Sequence, residues 1–140
     1  MRSRNLLLVL AACVPAISAA DPEGYPSDWG LKICTSQNDG ADCYSEKPVF
    51  NKCTGIKDPA RYGDRGSSFM MKGPKTGDHM FWCRVFQNKD CKDQDDQGKM
   101  NTDGIRSVWV HMTEPGFKEW NSDWVYQAYL CGNGAAQKGH

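Results

Sequence analysis

The sequence has no excess of either charge: 17 basic residues stand against 17 acidic ones. A general binder of nucleic acid or of membrane surfaces needs a basic excess, so neither is expected. There is no apolar run of membrane length. The longest, residues 6–14, spans nine positions, where a bilayer needs about 20. No Cys-x-x-Cys pair and no histidine at ligand spacing occurs, which removes the usual zinc frameworks. No Asn-x-Ser/Thr sequon occurs either, so N-glycosylation is not expected. Histidine is scarce, and only His79, His111 and His140 are available as a base near neutral pH. No serine stands in a nucleophile elbow.

What is present begins with a targeting pattern. Arg2 and Arg4 precede the apolar run, Pro15 breaks it, and Ser18-Ala19-Ala20 places small residues before Asp21. This is the layout of a secretory signal peptide over residues 1–20, cut before Asp21. Removing it takes two arginines and Cys13, leaving a slightly acidic mature chain. Six cysteines then remain: Cys34, Cys43, Cys53, Cys83, Cys91 and Cys131. An even number in a small secreted domain predicts three disulfides. The product is expected to be soluble and extracellular.

Residues 21–30 carry two prolines and two glycines and read as an irregular arm. Residues 31–35, 67–72, 81–86 and 105–112 are strand-length. In the last, Val108, Val110 and Met112 share one face and Trp109 and His111 the other, which is a period of two. Breakers at Asn38-Asp39-Gly40, Gly63 to Gly66, Gly73-Pro74 and Gln97-Gly98 separate them. Short strands with regular turns predict an all-β sandwich or barrel. Residues 124–131 fit a strand, with Trp124, Tyr126, Ala128 and Leu130 alternating. A short helix capped by Asn121-Ser122-Asp123 and ended by Gly132 is the other reading.

An internal repeat is also visible. Ile33-Cys34 followed by Gln37-Asn38 and Asp42-Cys43 parallels Trp82-Cys83 followed by Gln87-Asn88 and Asp90-Cys91. Asp64 to Ser68 and Asp103 to Ser107 then open further strands. On these residues the chain resembles the βγ-crystallin family, in particular its small secreted cysteine-rich members of fungal type. The resemblance implies a double Greek-key β domain over residues 31–112, with residues 113–140 as a C-terminal extension and tail. It also implies calcium turns at Asp64 and Asp103. Both turns keep only one acid of the expected pair, and the second has Arg106 where a hydroxyl is needed. Calcium takes six to eight oxygens, so structural turns are the simpler reading. The loop Asp93-Gln94-Asp95-Asp96-Gln97-Gly98 imitates the start of an EF-hand but has Gly104 in place of the closing Glu. No metal or cofactor is expected.

For catalysis, His111, Glu114 and Arg84 or Arg106 supply the residue types of a ribonuclease without its spacing. Trp120 and Trp124 lie among polar residues and suit exposed binding; packing over a disulfide core is the plainer alternative. The reading that results is a secreted, non-enzymatic, disulfide-rich binding protein, an effector or a toxin-like or antimicrobial protein. Its partner is expected to be an extracellular protein, glycan or membrane of another cell, with no nucleic acid, and the chain a monomer. A small secreted hydrolase and a structural extracellular protein are the alternatives. The expected disulfides are Cys43–Cys53 and Cys83–Cys91, each across a short loop, and Cys34–Cys131 holding the extension. The rival is Cys34–Cys83.

Overall fold

The computed structural model describes residues 21–37, 42–75, 78–95, 97–99, 104–112 and 118–134. The leader expected at residues 1–20, the turn at Asn38 to Gly40, Asp103, Glu114 and residues 135–140 of the tail lie outside them. The strands are β1 (Gly30–Cys34), β2 (Cys43–Glu46), β3 (Thr54–Gly55), β4 (Ser68–Lys72), β5 (Phe81–Phe86), β6 (Ser107–His111), β7 (Lys118–Asn121) and β8 (Ala128–Asn133), with one helical turn, α1 (Pro59–Tyr62). They form two antiparallel sheets of four, in the orders β2-β1-β4-β7 and β3-β8-β5-β6. The fold is all-β, as expected.

The two orders are related by symmetry. Replacing β1, β2, β3 and β4 by β5, β6, β7 and β8, and the reverse, converts one sheet's order into the other's. The repeating unit is therefore β1–β4 and β5–β8, and each unit gives its third strand to the opposite sheet. The second unit ends at Asn133, not at Met112. Residues 118–121 and 128–133 are strands of the two sheets, so this part of the expected extension is inside the domain. β8 lies between β3 and β5. The strand also runs through Gly132 rather than stopping there. A Cβ at Gly132 would lie 2.3 Å from the Trp82 ring, so the glycine marks close packing and not a terminus.

The core follows from the alternation. Leu31, Ile33, Phe69 and Met71 face Phe81, Val85, Val110 and Tyr129 from the opposite sheet. One end is closed by the arm, which is irregular as expected. Its Tyr25 and Trp29 rings meet edge to face at 5.0 Å and pack on Phe50 and Phe81. At the turns before β4 and β8, Tyr126 donates its N–H to Gly63 O (2.8 Å) and Gly66 donates to Ser122 O (2.7 Å). Gly63 admits no side chain, because a Cβ would stand 2.0 Å from Tyr126 O. Ser122 does not cap a helix; its hydroxyl donates to the carbonyl of Trp124.

All six expected cysteines are paired, but none of the expected pairs forms. The disulfides are Cys34–Cys43, Cys53–Cys91 and Cys83–Cys131. The reason is register. Cys34 is directly opposite Cys43 across β1 and β2, and Cys83 is directly opposite Cys131 across β5 and β8. Cys34 shares the outer parity of β1 with Lys32, whereas Cys83 and Cys131 are in the core. A Cys34–Cys131 or Cys34–Cys83 link would have to pass through a sheet. Cys91 is not across a hairpin from Cys83 either, because β5 pairs with β6 only from Ser107.

Non-reducing peptide mapping is expected to return these three pairs. On the chain-entropy view the links of sequence separation 48 and 38 each stabilise by about 4 kcal/mol and the short one by about 2.5. Gly132→Ala is expected to cost about 1–3 kcal/mol through overpacking against Trp82, read as a lower denaturant midpoint.

Candidate functional site

The outer face of the first sheet carries a groove of about 580 Å³, within the range of about 300–1,000 Å³ usual for ligand sites. Local sequence explains the dent. Gly30 has φ 136°, and a Cβ there would stand 2.8 Å from Glu46 O, so β1 begins with no side chain. Ser45, opposite Lys32 across the strands, is short. Lys32, Lys47, Met70 and Lys72 stand around the gap.

The arm forms one wall. Asp21 Oδ1 accepts hydrogen bonds from Trp29 Nε1 (2.8 Å) and Lys47 Nζ (2.7 Å). Lys47 also donates to Ser27 O, and its ammonium lies 5.4 Å from the Trp29 ring centroid. Lys72 pairs with Asp28 on the rim. Lys47 holds the Asp21 carboxyl below its ordinary value, and Lys72 does the same for Asp28. Lys32 is exposed and has no ion-pair partner among the described residues. Glu46 turns inward, where its carboxylate accepts a hydrogen bond from the Tyr129 hydroxyl. Burial, first, and this carboxylate, second, push the Tyr129 phenol far above its ordinary value. The groove can therefore bind a polar ligand along an apolar floor.

On the second sheet the equivalent positions carry large side chains. Cys34 is opposite the first residue of β4 and Phe86 opposite the first residue of β8, so Cys34 corresponds to Phe86. Gly30 then corresponds to Trp82, Lys32 to Arg84, and Ser45 to Trp109. Trp82 and Trp109 have ring centroids 5.1 Å apart. The Arg84 guanidinium lies 4.8 Å from the Trp109 centroid, donates to Ser107 Oγ, and pairs with Asp93. His111 stacks on Trp109 at 5.9 Å.

These placements decide several of the expected sites. Arg84 is engaged on every side and is not available as a phosphate clamp. His111 is exposed and makes no ion pair among the described residues; Glu114 lies outside them. The backbone N–H of Arg106 donates to Gln87 Oε1. Asp64 uses its carboxylate on the N–H of Arg65 and its carbonyl on Ser67. In the EF-like loop Asp93 is taken by Arg84, and Asp95 accepts the N–H groups of Gln97 and Lys99. No cluster of three or more His, Cys, Asp or Glu is placed for a metal among the described residues. Trp124 is buried and Trp120 half-buried, both against Tyr126 or one another. The groove itself was missed in the sequence, where only Gly30 beside Trp29 hinted at it.

No family model matches the chain, and no curated protein or solved structure is found to be similar to it. No described helix is long and apolar enough to cross a membrane.

The lowered carboxyls give the arm a pH dependence. Their contribution is fully present above the ordinary value of 3.8 and is lost as pH falls through the lowered folded values. Acid titration followed by tryptophan fluorescence is expected to show an arm transition below that value. In Asp21→Asn this transition is diminished.

Proposed function

We propose that this is a secreted, disulfide-bonded, non-enzymatic binding protein of βγ-crystallin-like design, acting on a target outside the cell in the manner of an effector or toxin-like protein. Three features support the design. In each unit the fourth strand returns beside the first, giving the 4-1-2 part of a Greek key, while the third strand crosses to the other sheet. The two units are related by one exchange of labels. A serine-bearing turn, Ser67-Ser68, opens the last strand of the first unit.

Secretion is supported by the three disulfides, by the leader pattern, and by Asp21, the first residue after the expected cut, which is tied to Trp29 and Lys47. Mass spectrometry of the protein from culture medium is expected to give Asp21 as the N-terminal residue.

The observation that carries the binding reading is the groove over β1, built on a Gly30 that cannot take a side chain and left open where the equivalent surface is filled. The test is binding or toxicity of the oxidised protein on plant, bacterial and fungal cells, compared with Ser45→Trp. That variant places in the groove the residue type that occupies the equivalent position at Trp109. It is expected to keep its fold by circular dichroism and to lose at least tenfold in potency. Undiminished activity with the groove filled would remove the groove from the reading.

A further inference from the structure

The Cys53–Cys91 disulfide gathers lysines that are far apart in sequence. Lys52 adjoins Cys53, Lys92 adjoins Cys91, and Lys89 O lies 3.6 Å from Cys53 Sγ. The two half-cystines have Cα atoms 5.9 Å apart across a sequence separation of 38. Consecutive Cα atoms are about 3.8 Å apart, so the three lysines occupy one patch of surface. All three are exposed, and none makes an ion pair among the described residues. Of the acids in the same loop, Asp90 is exposed beside the lysines, and Asp95 turns back on its own loop to accept the N–H groups of Gln97 and Lys99. Asp93 is withdrawn from the patch by Arg84. At the disulfide itself the three lysines stand against Asp90 alone, on a mature chain that is slightly acidic as a whole.

Next to this charge is an apolar tip. Val49 is 63 % exposed, and a turn at Phe50 and Asn51 joins it to Lys52. The ends of such a turn are within about 7 Å. Phe50 points the other way, against Trp29 and Tyr25, and fixes the loop. Asn51 takes a left-handed φ of 59° and donates its N–H to Cys131 O. The tip is therefore held outward by packing and by a hydrogen bond to β8.

We infer that this corner, Val49 with Lys52, Lys89 and Lys92, is a docking surface for an anionic lipid bilayer. Lysines near such a surface are drawn to its headgroups, and the attraction is short-ranged and sensitive to salt. A soluble acidic polymer would meet the lysines and have no use for Val49. A bilayer uses both, since an apolar side chain can enter the headgroup boundary. This surface shares no residue with the groove over β1, and its test does not depend on the groove.

The test is co-sedimentation of the oxidised protein with phosphatidylcholine vesicles, with and without phosphatidylserine, at low and at physiological salt. Binding is expected only with phosphatidylserine and is expected to weaken as salt rises. The triple variant Lys52→Ala, Lys89→Ala, Lys92→Ala is expected to bind about 100-fold more weakly. Val49→Asp is expected to weaken binding while leaving the fold unchanged by circular dichroism, and Arg65→Ala to bind like the parent. Equal binding to both vesicle types, no loss in the triple variant, or binding to polygalacturonate in place of vesicles would each overturn the inference.

Discussion

Each half of this protein completes the other's sheet, and the remaining structure depends on that exchange. β3 is hydrogen-bonded to β8, and β7 to β4. Neither sheet has four strands until both halves are present. The donated strands are short, with two residues in β3 and four in β7. They contribute few ladder bonds, so what fixes them is the turn that follows each. Gly63 and Tyr126, with Gly66, Ser67 and Ser122, bond the two turns to one another. This junction explains why Gly63 has no room for a Cβ and why Ser122 is buried in a polar-looking segment. It also makes independent folding of one half implausible, because the half would expose both an unpaired strand edge and an open core.

The disulfides reinforce this arrangement unequally. Cys83–Cys131 joins the first and last strands of the second half inside the core, where sulfur replaces aliphatic packing. Cys53–Cys91 joins the segment entering β3 to the loop after β5, and so ties the donated strand to the half that receives it. Cys34–Cys43 closes only a short connection at the edge of the first sheet. In a domain of this size the core is thin, and the two longer links remove the larger share of unfolded-state freedom. The link that secures the exchange is also the one that collects the exposed lysines.

Much of the fold was legible in the sequence, and the limit of legibility has a physical cause. β1, β4, β5 and β6 were legible as short apolar stretches between turn residues, and β6 also by the alternation of Val108 and Val110 with Trp109 and His111. β2, β3 and β7 are short and only partly buried, so alternation has too few positions to register. Cys34 and Cys83 looked equivalent because each ends an apolar stretch before a Gln-Asn turn. The register makes Cys34 equivalent to Phe86, three positions further on, and puts the two sulfurs on opposite faces. Pairing of cysteines is a consequence of register across strands, which is non-local, and so the count of disulfides was readable while the partners were not. The groove was hidden for the same reason, since Gly30, Ser45 and Met70 meet only once three strands are aligned.

The same register turns a symmetric backbone into two different surfaces. In the first sheet Gly30 is opposite Lys72 and Lys32 lies between Ser45 and Met70; in the second, Trp82 is opposite Gly132 and Arg84 lies between Trp109 and Leu130. The glycine has changed strands. With Gly132 on β8, the Trp82 ring lies down across the backbone, and the stack of Trp82, Trp109 and Arg84 fills the outer face. With Gly30 on β1, the opposing residue is a lysine that reaches outward to Asp28 rather than across the strand, and the backbone stays uncovered. A lysine keeps its charged head in water, so it cannot close the gap as an indole does. The groove therefore arises from the position of one glycine and the chemistry of the residue facing it, on a frame that is otherwise duplicated.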